Sequence, residues 1–577
     1  MDLLEIKAGI NGRKPWAFLE EYRGKFFQGQ WPTLVEMFNI TCHRYGRRSC
    51  FTIYEPDRIS LTYNESAVII EAVARWLHSK GIKKGDKVAV TGKNSPEWAI
   101  AYMGVLFSGA TVVPLDYQLK NEETDMLLKT SKACILFVDE EKYERYTGAG
   151  SAVPMKEVIS LKKGIGTYIY DIDGPEAAIE AAVSGDLAAI LFTSGTMGTP
   201  KGVMLTHENL VSDCYLAQGN LSIFHTDVFY ALLPIHHSYT MLAVLIETLS
   251  VGAEVVFGKR MVTKAILHDL KEAKITMLLA VPLLFNKVLN GIIRGLKEKG
   301  PVVYGAISFL MGVSGFIKKV FKKNPGKKMF GFVLDKASLR TLRICICGGG
   351  PLAPSVFRKY NQLGIDFVQG YGLTETSPII NLNPIEAYKE TSVGKVIPGA
   401  DMKVLNPDDR GIGEVIVKGS MVMQGYFELP KETAETFTSD GYLKTGDLGY
   451  LDSEDYLYLT GRAKNMIVTE GGKNVYPEEI ENEFQLFEEI DQILIRGFTE
   501  NKKDTSEHIE ALVYPSPDFK WTEDGAKADE QLIKDRLNAI VSEVNQRLLP
   551  YQRIDRVTIL NEPMEMTTTK KIKRDNV

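Results

Sequence analysis

Cysteine is scarce in these 577 residues: six occur, at Cys42, Cys50, Cys134, Cys214, Cys345 and Cys347. Only the last two are close. Alternation with isoleucine in Ile344-Cys345-Ile346-Cys347 puts both on one face of a strand, which suits a core better than a metal site or a disulfide. A reducing, cytoplasmic setting is the expectation. Long uncharged apolar runs are lacking too: none reaches about 20 residues, so no membrane-spanning helix is expected. The start, Met1-Asp2-Leu3-Leu4-Glu5, has neither a basic patch nor a long apolar run, so no signal peptide is expected. An excess of one charge is also missing. A net charge of -5 excludes a generic nucleic-acid binder. Repeats and low-complexity tracts do not occur. A chain this long outgrows one hydrophobic core, so two or more domains are expected.

What is present is alternation. Residues 66–80 place Val68, Ile69, Ala72, Val73 and Leu77 at helical spacing, and 85–92 read as a turn into a short buried strand. Helix 96–108, strand 110–115 and strand 133–138 continue the pattern, as do strand 253–257, helix 263–272 and strand 275–280. This reads as α/β with mostly parallel sheets in a large, multi-layer first domain, 1–462. From 395 to 455 short strands and turns dominate. Around 461–474 the composition shifts to charge and glycine. Residues 463–577 then have their own strands and helices, a small α+β second domain.

The densest chemistry follows the apolar run 187–192, in Thr193-Ser194-Gly195-Thr196-Met197-Gly198-Thr199-Pro200-Lys201-Gly202. Glycines let a backbone approach phosphates, Thr193, Ser194, Thr196 and Thr199 add hydroxyl donors, and Lys201 adds charge. The spacing differs from the nucleoside-triphosphatase P-loop, which needs its lysine directly after the second glycine. A backbone-approach turn, Gly348-Gly349-Gly350-Pro351-Leu352, follows the cysteine strand, at the strand end where ligands sit in such sheets. Gln369-Gly370-Tyr371-Gly372-Leu373-Thr374-Glu375 offers an aromatic for a nucleobase, a hydroxyl for phosphate and a hard carboxylate oxygen for Mg²⁺. Each of these alone would read as an ordinary polar loop.

T-S-G-T-x-G-x-P-K-G resembles the signature of the adenylate-forming superfamily of acyl-CoA synthetases, peptide-synthetase adenylation domains and luciferases. Four further stretches resemble its motifs in order: Tyr371-Gly372-Leu373-Thr374-Glu375, Thr445-Gly446-Asp447, Gly461-Arg462-Ala463-Lys464, and Lys571-Ile572-Lys573-Arg574. The resemblance implies that Asp447 and Arg462 hold the ribose, that Lys464 is an interdomain hinge, and that Lys571 is catalytic. The family has glycine before that lysine; here Lys570 stands there, so a register on Lys570 stays open. It also implies a mobile second domain, whose segment 470–474, with Gly471 and Gly472, lets a pantetheine arm of coenzyme A pass. His237, in Pro234-Ile235-His236-His237-Ser238, matches the position beside the reacting carboxylate, with the adjacent His236 leaving the register open, and Glu375 matches the one that holds Mg²⁺.

Small-acid and long-chain members share these motifs. Residues 301–317 are uncharged, and Lys318, Lys319, Lys322, Lys323, Lys327 and Lys328 follow. A helical wheel puts the first four lysines on one face and Phe316, Ile317, Val320 and Phe321 on the other, a membrane-surface pattern. The insertion and the T-T-T-K-K-I-K-R ending resemble long-chain fatty acyl-CoA synthetases. The expectation is therefore activation of a medium- or long-chain fatty acid by ATP and Mg²⁺, then transfer to CoA, by a cytoplasmic protein in peripheral contact with the inner face of an anionic membrane. An acyl carrier protein as acceptor, an aryl or short-chain acid, and a non-catalytic lipid-binding relative are the alternatives.

Overall fold

Two sheets carry the site. The computed structural model describes every residue except 1–2, 56, 149–150, 152, 194–199, 259–261, 470–472, 500–506, 518, 520, 523–528, 568–570 and 575–577. Among the described residues one sheet has seven strands and the other thirteen. Their central strands read as unbroken apolar runs because helices cover both faces. Ile135–Val138, Met277–Ala280 and Ile344–Cys347 are buried along their whole length.

The sheets are mixed rather than mostly parallel. In the larger one, Ile344–Cys347 pairs in parallel with Met277–Ala280 and with Asp366–Tyr371. Beyond Tyr371 every pairing in this sheet is antiparallel, and the short strands of the 395–455 region extend it, except Gly425–Tyr426, which joins the smaller sheet. Pairing changes sense where Gln369, Gly370 and Tyr371 end their strand, a break at which such sheets open a crevice. In the smaller sheet Leu187–Thr193 and Lys201–Thr206 form an antiparallel pair with Thr193 opposite Lys201. The hydroxyl- and glycine-rich segment between them lies outside the described residues.

Helix starts obey local chemistry. Tyr63–Ser79 begins at a reciprocal cap in which Thr62 accepts from the Glu65 N–H and the Glu65 carboxylate accepts from the Thr62 N–H. The apolar helix after His237 runs through a π-helical segment, Met241–Ile246, buried throughout. Such wide turns are frequent at functional sites. All six cysteines are free, and Cys345 and Cys347 share one core.

After Tyr456–Arg462 the chain turns through Ala463–Asn465, where Lys464 is exposed. It then builds a separate core from residues such as Val475, Ile495, Val513, Leu537 and Val544. Three strands, Ile490–Phe498, His508–Pro515 and Arg556–Ile559, pack there with helix Glu530–Asn545.

Segment 301–328 departs from its sequence reading twice. Pro301–Phe321 is one helix of 21 residues, long and apolar enough to cross a membrane by length and composition. The count of uncharged residues missed it because Lys318 and Lys319 interrupt the run. The lysines also do not share a face. Lys318 is buried, donating to Asp366 Oδ1 at 2.6 Å and Asn361 Oδ1 at 2.7 Å. Lys322, in the left-handed conformation at φ 54°, already lies past the helix end.

Candidate functional site

The two sheets and the small domain enclose a cleft of about 2840 Å³. Thr193, Lys201, His237, Gly349, Gly350, Gln369, Gly370, Tyr371, Gly372, Thr374, Glu375, Asp447, Arg462 and Lys571 all line it. Chain positions from 193 to 571 converge on one space.

At one end stands a carboxylate held from two sides. Asp447 lies opposite Arg462 in an antiparallel strand pair, so their side chains meet: Arg462 Nε is 2.9 Å from Asp447 Oδ1. The Tyr371 hydroxyl donates to Asp447 Oδ2 at 2.6 Å, which fixes the carboxylate's rotation. Burial, then the Asp447 charge, pushes the Tyr371 phenol well above its usual value, so the proton stays on tyrosine. The loop after Tyr371 is close-packed. A Cβ at Gly372 would lie 1.4 Å from the Pro378 carbonyl oxygen.

Glu375 sits on the one-turn segment Thr374–Thr376. Its Oε1 accepts from the Tyr426 hydroxyl at 2.9 Å, and its backbone oxygen from the Met423 N–H at 2.9 Å. Tyr426 belongs to Gly425–Tyr426, the edge strand paired with Lys201–Thr206. The Lys201 ammonium stands 4.8 Å from the centre of its ring. One tyrosine thus ties the cation of the hydroxyl–glycine segment to the carboxylate of the next motif. With Tyr426 on Oε1, Glu375 keeps Oε2 as a hard donor, and Thr193 and Thr374 add oxygens in the same cleft. This donor set fits Mg²⁺. The Thr374 and Ser238 hydroxyls are 3.0 Å apart.

Lys571 comes from the other domain. Its N–H donates to Thr567 Oγ1 at 3.1 Å, its carbonyl accepts from the Thr567 N–H at 2.8 Å, and Met566 bridges Ile572. These contacts fix Lys571 against Thr567. Arg574 anchors the end of this segment, donating to both Glu481 oxygens at 2.6 and 2.7 Å. Lys571 reaches to the Gly348-Gly349-Gly350 turn, where its Cε is 3.9 Å from the point a Cβ on Gly349 would occupy. Gly349 has φ +79°, a conformation that side chains resist. The lysine is exposed to the water of the cleft but ringed by protein. That crowding, then the Arg462 charge, lowers its pKa, and Asp447 opposes the shift.

The small domain is held in this position by Gln485. Its Oε1 accepts from the Ala353 N–H at 2.8 Å, and its Nε2 donates to the Pro351 carbonyl at 3.0 Å. It therefore grips the residues that follow the glycine turn.

His237 and His236 both line the cleft, rings 4.3 Å apart, with His236 Nε2 3.6 Å from Asp116 Oδ1. Burial, then the neighbouring His236, lowers the His237 pKa to about 3; Lys571 acts in the same direction and Asp116 against it. His237 is a neutral imidazole at ordinary pH.

Ser194, Gly195, Thr196, Gly198, Thr199, Gly471 and Gly472, and the alternative lysine Lys570, lie outside the described residues. The sequence reading missed Tyr426, Gln485 and Asp116. The pair Gly425-Tyr426 was the one available signal, a glycine–aromatic step after a turn-rich stretch, and nothing local distinguished it.

Residues 38–427 match the family described as AMP-binding enzyme. The long-chain-fatty-acid–CoA ligase FadD15 of Mycobacterium bovis is 30% identical over 559 residues, 89% of this chain and 90% of that protein. The crystal structure of the anthranilate CoA ligase AuaEII with anthranoyl-AMP superposes with a TM-score of 0.75 at 20% identity, covering 95% of this chain and 96% of that one. The o-succinylbenzoate coenzyme A synthetase MenE of Bacillus subtilis, solved with ATP and magnesium ion, gives 0.70 at 23% identity, covering 93% and 98%. The two structural likenesses concern the fold.

Proposed function

This chain belongs to the AMP-binding enzyme family and is an AMP-forming acid–CoA ligase, and we propose that its acid is a medium- or long-chain fatty acid. One observation carries the reading: the cleft that His237 lines is also walled by apolar side chains, among them Leu221, Ile223, Ala243, Leu279 and Leu382. FadD15, similar over nearly the whole chain, bears a long-chain name.

A carboxylate attacking ATP brings two anions together, so charge must be neutralised and the partners aligned. In our reading Lys571 stands between the carboxylate and the α-phosphate, where its ammonium pairs with the charge that develops. Neutral His237 borders the carboxylate without competing for Lys571. Thr193, Lys201 and the loop between them receive the phosphates, while Asp447, held by Tyr371 and Arg462, takes the ribose. Glu375, with Thr193 and Thr374, would hold Mg²⁺, which when bound neutralises phosphate charge. Losing one such stabiliser typically costs ~10²–10³ in rate.

Thioester formation needs Lys571 withdrawn and a path for the pantetheine thiol. We propose that the small domain turns about Lys464, breaking the Gln485 contacts and bringing segment 470–474 to the adenylate. An assay of AMP and pyrophosphate release with ATP, CoA and a panel of acids tests the substrate. Fatty acids should surpass benzoate-type and short acids; the reverse order would replace the fatty acid by an aryl or short-chain substrate. Thioester formed only on a holo-carrier protein, and never on CoA, would overturn the acceptor.

A further inference from the structure

The lining of the cleft reaches exposed residues away from the catalytic end. It follows helix Pro282–Lys297, taking in Val288, Ile292 and Gly295, and reaches Phe332 and Lys336 on the short helix Gly331–Lys336. A Cβ at Gly291 or Gly295 would meet no atom within 4 Å, so this side of the helix borders open space. Phe332 is 53% exposed at the rim, with the Lys299 ammonium 5.3 Å from its ring centre.

Next in the chain comes helix Pro301–Phe321. One face is packed: Ile307, Met311, Ser314 and Lys318 are buried, and Lys318 is bound to Asp366. The opposite face is apolar and bare, with Val302 83% exposed, Phe309 73%, Phe316 62% and Val320 53%. A helix facing water normally carries polar residues there, and a contiguous apolar patch marks an interaction surface. The helix is about 31 Å long at 1.5 Å per residue. Its packed inner face and buried Lys318–Asp366 pair tie it to the globular body, so it can lie along a membrane but not thread one.

Charge selects the occupant. Lys297 and Lys299 precede the helix, and Lys319, Lys322 and Lys323, all exposed, end it. A two-fold contact between copies through this face would set lysines against lysines whether the helices ran parallel or antiparallel. A lipid surface with anionic headgroups accepts the apolar middle and both basic ends at once.

We propose that this face docks on anionic membrane, and that a fatty acid passes sideways from the bilayer into the cleft past Phe332. The delivery half rests on the fatty-acid reading above; the docking half does not.

The test is co-sedimentation of the full chain with vesicles of phosphatidylcholine containing phosphatidylglycerol, and of phosphatidylcholine alone. The wild type should bind the anionic vesicles, less so at high salt. Phe309→Glu with Phe316→Glu should abolish binding, and Lys319→Glu with Lys323→Glu should cut it by roughly tenfold or more. Both variants should turn over dissolved octanoate at the wild-type rate and lose activity on palmitate supplied in vesicles. Unaltered vesicle binding by Phe309→Glu/Phe316→Glu would overturn the proposal, as would a solution dimer that this variant dissociates. Equal losses on both acids would overturn the delivery route. A wild type that binds vesicles but activates no fatty acid would sink the substrate reading and delivery while upholding the docking surface.

Discussion

A hydroxyl at position 426 decides how Glu375 points, and no neighbour in sequence announces it. Tyr426→Phe removes the bond to Oε1, and hydrogen bonds to charged groups contribute about 1.5–3 kcal/mol. The expected result is a rise of about tenfold or more in the Mg²⁺ and ATP concentrations needed for half-maximal rate, with folding intact; unchanged titrations would remove Tyr426 from the site. The motif residues stood out in the sequence because each motif packs glycines, hydroxyls and charges into a few consecutive positions, and the described ones line one cleft. Tyr426 and Gln485 did not stand out, because each acts on a partner 51 and 132 positions away. A second residue works through burial alone. Glu247 lines the cleft wall, accepts from Cys214 Sγ at 2.8 Å, and is pushed up to about 8 by desolvation against an ordinary 4.5. The folded state therefore keeps a proton that the unfolded chain gives up. The resulting stability is complete below about 4.5 and is lost as pH rises through about 8, at up to about 1.4 kcal/mol per pH unit. Glu247→Gln should flatten this slope and raise the melting temperature most at alkaline pH. Parallel melting-versus-pH curves for the two proteins would contradict it.

Among the elements, the central strands and capped helices followed their sequence patterns, since burial on both faces leaves an unbroken apolar run. Helix Pro301–Phe321 did not. Its wheel was drawn through residues 316–323, yet the helix ends at Phe321 and its inner stripe, Ile307-Met311-Ser314-Lys318, is set by packing against Asn361 and Asp366 from elsewhere. A lysine read as solvated is the buried pin of the helix. Removing one partner of such a pair typically costs about 3–5 kcal/mol, whereas exposed charges change stability by about 0.5 kcal/mol or less. Lys318→Met should therefore lower the denaturation midpoint sharply and Lys319→Met hardly at all. Equal effects in a urea titration would show that the buried pair does not hold the helix.

For the whole molecule, the change of composition near 461–474 coincides with the start of a separate core in the structure. The sequence could not say where the second domain stands, because that depends on contacts such as Gln485 with Ala353 and Pro351, formed only after both parts fold. The stance observed, with Lys571 against Gly349, suits the first half-reaction. Proline at Lys464 would fix φ near about −65° and should slow thioester formation while pyrophosphate release survives; equal slowing of both steps would argue against a hinge there.

Lys571→Ala, followed through the two half-reactions separately, tests the account most directly. Fatty-acid-dependent pyrophosphate release should fall by ~10²–10³, because the charge developing in the transition state loses its partner. The same protein should convert supplied acyl-adenylate and CoA to thioester at close to the wild-type rate. Equal damage to both steps, or an unaffected Lys571→Ala beside an inactive Lys570→Ala, would contradict the assignment of Lys571 to adenylation.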